Sequence, residues 1–233
     1  GSARLPLLIP SSHGGSPFIL SRIVRSGERN RHLPFQLNSG HPHEEEYDAD
    51  SPLILDLNDD GIQTTGFDEP VPFDLDGDGA TELLTWTDPT TFEGFLWTDI
   101  NKNGTVDNGS ELFGIGTVLP DGTVATDGFA ALSACDEPQN GGNGDAMITA
   151  DDSVWARLQI WVDANHNGVS ENREIGPIHR FGITALDLNY SVDATPDSNG
   201  NIHLYRSTYT KRIPAGSRRL PLHDVFFRRV ERP

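Results

Sequence analysis

The chain has 233 residues, of which 35% are hydrophobic, and a formal net charge of −18. The acidic residues are concentrated between 51 and 200, where there are 27 Asp and Glu but only four Lys and Arg. These carboxylates repel one another unless cations neutralise them. The negative charge also argues against nucleic acid as the main partner. The single cysteine, Cys135, excludes an intrachain disulfide framework, and no apolar run is long enough to span a membrane.

Residues 1–50 differ in composition from the rest of the chain. They are rich in Pro, Ser, Gly and Arg, and we interpret them as a largely irregular arm or linker with a short strand at Phe18–Leu20 and 23–24. At 41–48, His and Glu side chains offer ligands for a transition metal, but no ligand spacing enforces a site, which favours a solvated acidic linker. We place the second domain at 51–233.

A short hydrophobic strand that leads into a D-x-[DN]-x-[DN]-G turn recurs along the second domain. Oxygen side chains at positions 1, 3 and 5, followed by Gly at position 6, have the spacing of an EF-hand calcium loop. The first three copies follow apolar runs at 53–55, 71–73 and 95–98, and they lack an acid at position 12. Their candidate calcium ligands are Asp56, Asn58 and Asp60; Asp74, Asp76, Asp78 and Glu82; and Asp99, Asn101, Asn103, Asp107 and Glu111.

The fourth copy, at 163–174, is the complete one. It is the only copy that has oxygen side chains at positions 1, 3 and 5 together with an acid at position 12, which closes a calcium site with a bidentate carboxylate, and its position-7 ligand is a backbone carbonyl. Apolar residues at i, i+4 and i+7 spacing predict an entering helix over 151–162, as in an EF-hand. The candidate ligands are Asp163, Asn165, Asn167, Val169 and Glu174.

A damaged fifth copy precedes the predicted entering helix. Asn143, Asp145 and Asp152 fit positions 3, 5 and 12, but position 1 is Gly141 and the segment 136–140 looks like an insertion. The motif therefore leaves calcium binding open at this copy. Ligand loops repeated in this way imply that several calcium ions bind.

Outside the loops, the pattern predicts one further helix and several strands. Ala and Leu content predicts a helix at 128–134, and Asp, Asn and Gly at 197–201 predict a hairpin turn. The whole pattern predicts an α+β fold, in which short strands and few helices are organised around several EF-hand-like calcium loops. The further strands are predicted at 183–188, 202–205, 207–210 and 225–227.

Taken in order, these motifs resemble the calcium-dependent self-processing module of the iron-regulated RTX proteins. The matching stretches run from 51–62 through the Glu-Leu-Phe-Gly block at 111–114 to 182–188, and they cover most of the second domain. The resemblance implies a secreted bacterial protein that folds on binding calcium. In that family, calcium triggers cleavage of an Asp-Pro bond and transfer of the new carboxyl end to a lysine. Here Ser51 stands in place of the scissile Asp, so the resemblance supports calcium binding and weakens the inference of self-cleavage.

Two functions from different classes remain open on the sequence alone. The first is a calcium-binding module of a secreted RTX-type protein that does not cleave itself. The second is a calcium-dependent hydrolase of phosphoesters or esters, in which an ion with an open coordination position polarises a small anionic substrate. The loops that begin at Asp56, Asp74 and Asp99 leave such a position, but no nucleophile motif identifies catalytic residues, and no protein partner is indicated.

Overall fold

The computed structural model describes residues 7–9, 18–20, 35–36, 46–47 and 49–230. The chain divides into two compact units, Gly1–Ala49 and Asp50–Pro233. Among the described residues, no helix is both long and apolar enough to cross a bilayer.

Short antiparallel strand pairs make up the described part of the first unit. β1 (Leu7–Ile9) pairs with β2 (Phe18–Leu20), and β3 (Phe35–Gln36) pairs with β4 (Glu46–Tyr47). The strand predicted at Phe18–Leu20 is therefore present. Its continuation at 23–24 lies outside the described residues, and so does the part of the His and Glu cluster at 41–45, whereas Glu46 lies in β4.

The second unit is built on one antiparallel sheet. The strands from residue 49 onward are β5 (Ala49–Asp50), β6 (Leu53–Asp56), β7 (Val71–Phe73), β8 (Glu82–Leu84), β9 (Glu93–Thr98), β10 (Met147–Ile148), β11 (Leu158–Trp161), β12 (Ile175–Pro177), β13 (Ile183–Asp187), β14 (Ser191–Val192), β15 (Ile202–Ile213) and β16 (Gly216–Arg228). Eight of them follow a single path in this sheet, in the order β10-β13-β15-β16-β6-β9-β11-β12, and β14 pairs with β15 beside this path. β7 and β8 form a separate antiparallel pair. The α-helix is α1 (Gly128–Ser133), and 3-10 helices span Gly109–Glu111, Pro138–Asn140, Trp155–Arg157 and Ile178–Phe181.

The predicted α+β class, organised around EF-hand-like loops, is wrong. The sheet is antiparallel and curls into a half-barrel, and α1 is the one α-helix in the described part of the chain. The acidic loops lie between the strands of the unit, so the sheet, rather than the loops, organises it.

The central strands β6 and β9 are buried on both faces. Side chains alternate between the faces of a strand, so Leu53 and Leu55 pack with Phe129 of α1, whereas Ile54 faces the other way. On that second face lies an aromatic cluster, in which the ring centroids of Trp86 and Phe95 are 4.7 Å apart. Two hydrophobic cores therefore sandwich the middle of the sheet.

The entering helix predicted over 151–162 is also wrong. Trp155–Arg157 forms a single 3-10 turn, and β11 then pairs antiparallel with β9 and β12. Ile160 belongs to one core and Trp161 to the other, so consecutive side chains alternate as they do in a strand. A strand buried on both faces is uniformly apolar, and such a run mimics part of a helical pattern.

The other predicted elements of the second unit are present. α1 begins after Asp127, whose side chain accepts the amide hydrogen of Ala130 at 2.7 Å. The two strands predicted at 202–205 and 207–210 belong to one strand, β15, which forms a long hairpin with β16. The turn predicted at 197–201 precedes it.

Candidate metal centre

Four of the five predicted calcium loops begin where a strand ends. Loop A (56–61) follows β6, loop B (74–82) follows β7, loop C (99–111) follows β9 and loop D (163–174) follows β11, whereas loop E (136–152) follows α1. A strand, rather than the helix of an EF-hand, therefore delivers the first ligand of loops A to D.

The first Asp of loops A to D holds its turn in the same way in each case. One carboxylate oxygen accepts the amide hydrogen of the Gly five residues later. The nitrogen–oxygen distances are 2.8 Å for Gly61 to Asp56, 3.1 Å for Gly79 to Asp74, 2.9 Å for Gly104 to Asp99 and 2.9 Å for Gly168 to Asp163. The four loops therefore share one type of turn.

Gly168 occupies a position of loop D that admits no side chain. Its φ of +70° lies in the left-handed region. A Cβ there would lie 2.5 Å from the carbonyl oxygen of Pro72 and 2.7 Å from Cγ1 of Val71. Loop D therefore packs closely against β7, the strand that leads into loop B.

Asp163 anchors loop D to the aromatic core. Its buried Oδ2 accepts a hydrogen bond of 2.9 Å from Trp86 Nε1, in addition to the Gly168 amide. Trp86 is itself fully buried and stacks on Phe227 with a centroid distance of 5.1 Å. The core thus holds the first ligand of loop D in place before any ion binds.

Glu174, the closing acid of loop D, has a carboxylate oxygen without a hydrogen-bond partner. The residue is 5% exposed, its Oε2 accepts the Glu171 amide at 3.3 Å, and its Oε1 is buried and unpartnered. Burial above all, with the neighbouring Glu171 carboxylate next, raises the pKa of Glu174. A carboxylate oxygen that is buried without a partner costs free energy, and a cation bound in the loop would offset this cost by coordinating the oxygen. The residues of loop D therefore fit a calcium ion.

Sequence reasoning missed Glu171, which stands at position 9 of loop D. Its carboxylate accepts hydrogen bonds from Asn165 Nδ2 at 3.0 Å and from Asn167 Nδ2 at 3.3 Å. Position 9 of an EF-hand loop contributes a ligand, often through a water molecule, so the signal was present in the spacing.

Loop C closes on Glu111, although this acid comes one residue later than the EF-hand spacing requires. Glu111 is buried, and it accepts the Ile100 amide on Oε1 at 2.9 Å and the Asp107 amide on Oε2 at 3.1 Å. Asn101 and Asn103 both donate to Asp107 Oδ2, at 2.5 and 2.7 Å. The structure thus brings the predicted ligands of loop C together.

The carboxylates of loop B converge in two groups that can hold a metal ion. Oxygen atoms of Asp74, Asp76 and Asp78 lie within 4.8 Å of one another, and so do those of Asp50, Asp76 and Glu82. Asp74 Oδ1 is buried without a hydrogen-bond partner. Burial is the main reason that the pKa of Asp74 is raised and that the pKa of Glu82 rises to about 7.

An arginine enters the second of these groups from the end of β16. Arg229 Nη2 lies 2.8 Å from Asp50 Oδ2 and 2.8 Å from Asp76 Oδ2. This positive charge offsets part of the repulsion between the carboxylates. The sequence pattern did not indicate Asp50 or Arg229, because neither belongs to the repeated loop.

Loop A finds its closing carboxylate across the sheet rather than along the chain. The register of β6 and β9 pairs Asp56 with Glu93, a buried residue outside every predicted loop. Glu93 Oε1 accepts the Gln63 amide at 3.0 Å, and burial raises the pKa of Glu93 to about 7. The two other predicted ligands meet where Asn58 Nδ2 donates to Asp60 Oδ2 at 2.8 Å. Glu93 was missed because only strand pairing brings it to this loop.

Loop E recruits a carboxylate from upstream of the predicted motif. Asp136 accepts the amide hydrogens of Gly144 and Ala146, each at 2.9 Å. Its carboxylate therefore takes the place of the position-1 side chain that Gly141 lacks. The segment 136–140 is therefore part of the loop and not an insertion ahead of it.

The three ligands predicted from the sequence for loop E lie close together. Asp152 accepts the Asn143 amide on Oδ1 at 3.2 Å and the Thr149 amide on Oδ2 at 2.7 Å. Asn143 Nδ2 in turn donates to Asp145 Oδ2 at 3.0 Å. Loop E thus has a closing acid at position 12, as loop D does.

Loops B, C and D are neighbours in the structure. The Gly109 amide of loop C donates to the Asp74 carbonyl of loop B at 2.8 Å, and the Val106 amide of loop C donates to Ser170 Oγ of loop D at 2.7 Å. A cation bound in one loop therefore changes the electrostatic potential at the other two.

The bond between Ser51 and Pro52 lies within packed structure. Ser51 is buried, and its carbonyl accepts the Ile115 amide at 3.2 Å. A Cβ on Gly114 would lie 1.8 Å from the same oxygen, and the Pro52 carbonyl accepts the Val225 amide at 3.1 Å. The start of β6 is thus held on two sides.

The half-barrel with its acidic loops corresponds to a known family. The SPM domain matches residues 53–228, and the chain belongs to the SPM domain family. A relative is the iron-regulated protein FrpA of Neisseria meningitidis serogroup C, which is 38% identical over 168 residues. The match covers 71% of this chain and 14% of that protein, so the chain spans a small part of the relative's length. The relationship supports the resemblance to an RTX-related module.

Proposed function

We propose that this chain is a calcium-binding module of a secreted bacterial RTX-type protein and that it folds on binding several calcium ions. Membership of the SPM family and the relationship to FrpA support an RTX-associated module. The observation that carries the calcium proposal is the buried, unpartnered Oε1 of Glu174, which lies near the charge of Asp163.

Loop D has the donor set that calcium prefers. Carboxylate, amide and carbonyl oxygens suit this hard cation, which takes six to eight of them. In this proposal, loop D binds with Asp163, Asn165, Asn167, Val169 and Glu174, and Glu171 contributes through water. In the other loops, the closing acids are Glu93 for loop A, Glu82 for loop B, Glu111 for loop C and Asp152 for loop E.

Calcium would link binding to folding because the acids are both numerous and partly buried. Twenty-seven Asp and Glu lie between residues 51 and 200 with only four Lys and Arg. Bringing these carboxylates together without counter-charge costs free energy, and a divalent cation in each loop offsets that cost. The weaker calcium sites of this kind suit the millimolar calcium outside cells, which is consistent with a secreted protein.

The proposal is tested by calcium titration of a Glu174→Gln variant. The substitution removes the charge and the bidentate oxygen pair but nearly keeps the side-chain volume. Isothermal titration calorimetry is expected to show that the tightest site of the parent chain is weakened at least tenfold. Asp68→Asn is the matched control, since it removes one exposed carboxylate outside the loops. Identical titrations of the parent and Glu174→Gln would refute the assignment of loop D.

We further propose that the chain does not cleave itself before Pro52. Ser51 offers a hydroxyl where self-cleavage of an Asp-Pro bond uses the Asp carboxylate, and an unactivated hydroxyl is a poor nucleophile at neutral pH. The alternative function, a calcium-dependent hydrolase of phosphoesters or esters, stays a prediction from the sequence. A turnover assay on generic phosphoesters and esters, with calcium and with EGTA, tests it.

A further inference from the structure

Two imidazole rings meet between the longest strands, β15 and β16. His203 on β15 and His223 on β16 place their Nδ1 atoms 3.1 Å apart, with ring planes at 81°. His203 is buried and His223 is half-buried. Neither residue belongs to a predicted calcium loop, and the proposed function does not use them.

A carboxylate determines which ring nitrogen of His203 carries the hydrogen. Its Nε2 lies 3.3 Å from Asp197 Oδ2, which also accepts a hydrogen bond of 2.6 Å from Thr64 Oγ1. The other oxygen of this carboxylate, Oδ1, accepts the Asn199 and Asn201 amide hydrogens, each at 2.9 Å. An ionised carboxylate only accepts hydrogen bonds, so His203 Nε2 carries the hydrogen. In the neutral ring, Nδ1 then presents its lone pair to His223.

We propose that His203 and His223 bind a divalent transition metal, such as Zn²⁺, Ni²⁺ or Cu²⁺, through their two Nδ1 atoms. With metal–nitrogen bonds of about 2.1 Å, the observed separation corresponds to a nitrogen–metal–nitrogen angle of about 95°. This angle suits an octahedral or tetragonal ion once the two rings turn so that both lone pairs face the ion, and a small opening of the pair suits tetrahedral zinc. Calcium prefers oxygen ligands, so this site is chemically distinct from the acidic loops.

The contact between Asp197 and His203 is the kind that supports a metal-binding histidine. Such histidines usually donate their second ring N–H to a carboxylate or a carbonyl, which fixes the ring orientation and increases the basicity of the bound nitrogen. Here the turn before β15 supplies the carboxylate, and the Asn201 amide holds it in turn by donating to Asp197 Oδ1 at 2.9 Å. The first ligand is therefore oriented before a metal arrives.

Metal binding requires one proton to move within the pair. In the metal-free pair, the hydrogen on His223 Nδ1 lies between the two rings and is donated to His203 Nδ1. When the ion takes both lone pairs, that proton transfers to His223 Nε2, so the ring stays neutral and no proton is lost.

The proposal is tested by zinc titration of the full chain in millimolar calcium, so that the acidic loops are already saturated. Calorimetry is expected to give a zinc site that weakens at least tenfold in His203→Gln and in His223→Gln. His179→Gln is the matched control, because it removes an exposed imidazole from a short 3-10 helix. A His41→Gln, His43→Gln double variant controls for the His and Glu side chains of the N-terminal arm. If zinc binding is lost in this double variant and kept in His223→Gln, the proposal is overturned.

A measurement on the unsubstituted chain covers the case in which the variants fail to fold. Nitrogen-15 NMR of the histidine rings is expected to show that zinc shifts Nδ1 of both His203 and His223. It is also expected to show that the hydrogen of His223 moves from Nδ1 to Nε2. Unchanged resonances of both rings at one equivalent of zinc would overturn the assignment.

Discussion

Substitution of Gly168 by Ala tests whether loop D is built against β7 as the structure shows. Gly168 has φ of +70°, and an added Cβ would meet the Pro72 carbonyl oxygen at 2.5 Å. The left-handed conformation costs Ala about 1–2 kcal/mol, and forcing the loop away from the strand adds about 1–3 kcal/mol. Gly104→Ala is the matched control, because Gly104 has the same position in loop C and a φ of +81°, but nothing lies within 4 Å of its added Cβ.

The two variants are expected to differ by the cost of the close contact alone. Urea unfolding in millimolar calcium, followed by tryptophan fluorescence, should show Gly168→Ala to be about 1–3 kcal/mol less stable than Gly104→Ala. Thermal unfolding should separate the two midpoints by about 2–4 °C per kcal/mol for a domain of this size. Stabilities that agree within about 0.5 kcal/mol would refute the packing of loop D on β7.

Two further predictions concern loop E and the start of β6. Asp136→Asn should lower the free energy of unfolding by about 1.5–3 kcal/mol, because the Gly144 and Ala146 amides lose a charged acceptor. The control is Asp151→Asn, at an exposed residue, which should change the free energy of unfolding by less than about 0.5 kcal/mol. Equal urea midpoints for these two variants would show that Asp136 does not hold the loop. Prolonged incubation in millimolar calcium should leave the chain intact by mass spectrometry, because Ser51 lacks the carboxylate used in Asp-Pro cleavage; a fragment that begins at Pro52 would restore the self-processing interpretation.

The turns of the acidic loops were predictable because their determinants are local. In each turn, an Asp carboxylate accepts the amide hydrogen of the Gly five residues later. This hydrogen bond depends only on the local order of residues, which can be seen in the sequence at Asp56, Asp74, Asp99 and Asp163. The strands before them were predictable for the same reason, since a short apolar run ahead of a turn favours a strand.

The prediction of an entering helix was wrong because the apolar pattern of β11 fits both a helix and a strand that is buried on both faces. Leu158 and Trp161 fit a helical stripe, yet the strand places Ile160 and Trp161 in opposite cores. Pairing with β9 and β12 on both sides decides between them, and that pairing depends on residues far away in the sequence. The same mistake contributed to the wrong fold class, because it placed the entering helix of an EF-hand before loop D.

The residues missed at the candidate metal centre are those that tertiary structure brings in. Glu93 reaches loop A through the register of β6 and β9, and Arg229 reaches loop B from the end of β16. Asp136 lies outside the 12-residue spacing of its loop, so a search by spacing reads it as an insertion. The pair of His203 and His223 likewise depends on the hairpin of β15 and β16.

The central claim is that calcium bound in these loops stabilises the fold, and the melting temperature tests it most directly. The comparison is between millimolar calcium and EGTA, with magnesium at the same concentration as the control for ionic strength. Binding to the native state alone adds about 2.7 kcal/mol at a hundredfold excess over Kd for each site, which corresponds to a rise of roughly 5–11 °C. The account predicts a rise of at least this size in calcium, or no cooperative transition at all in EGTA. Equal melting temperatures in calcium, magnesium and EGTA would contradict it.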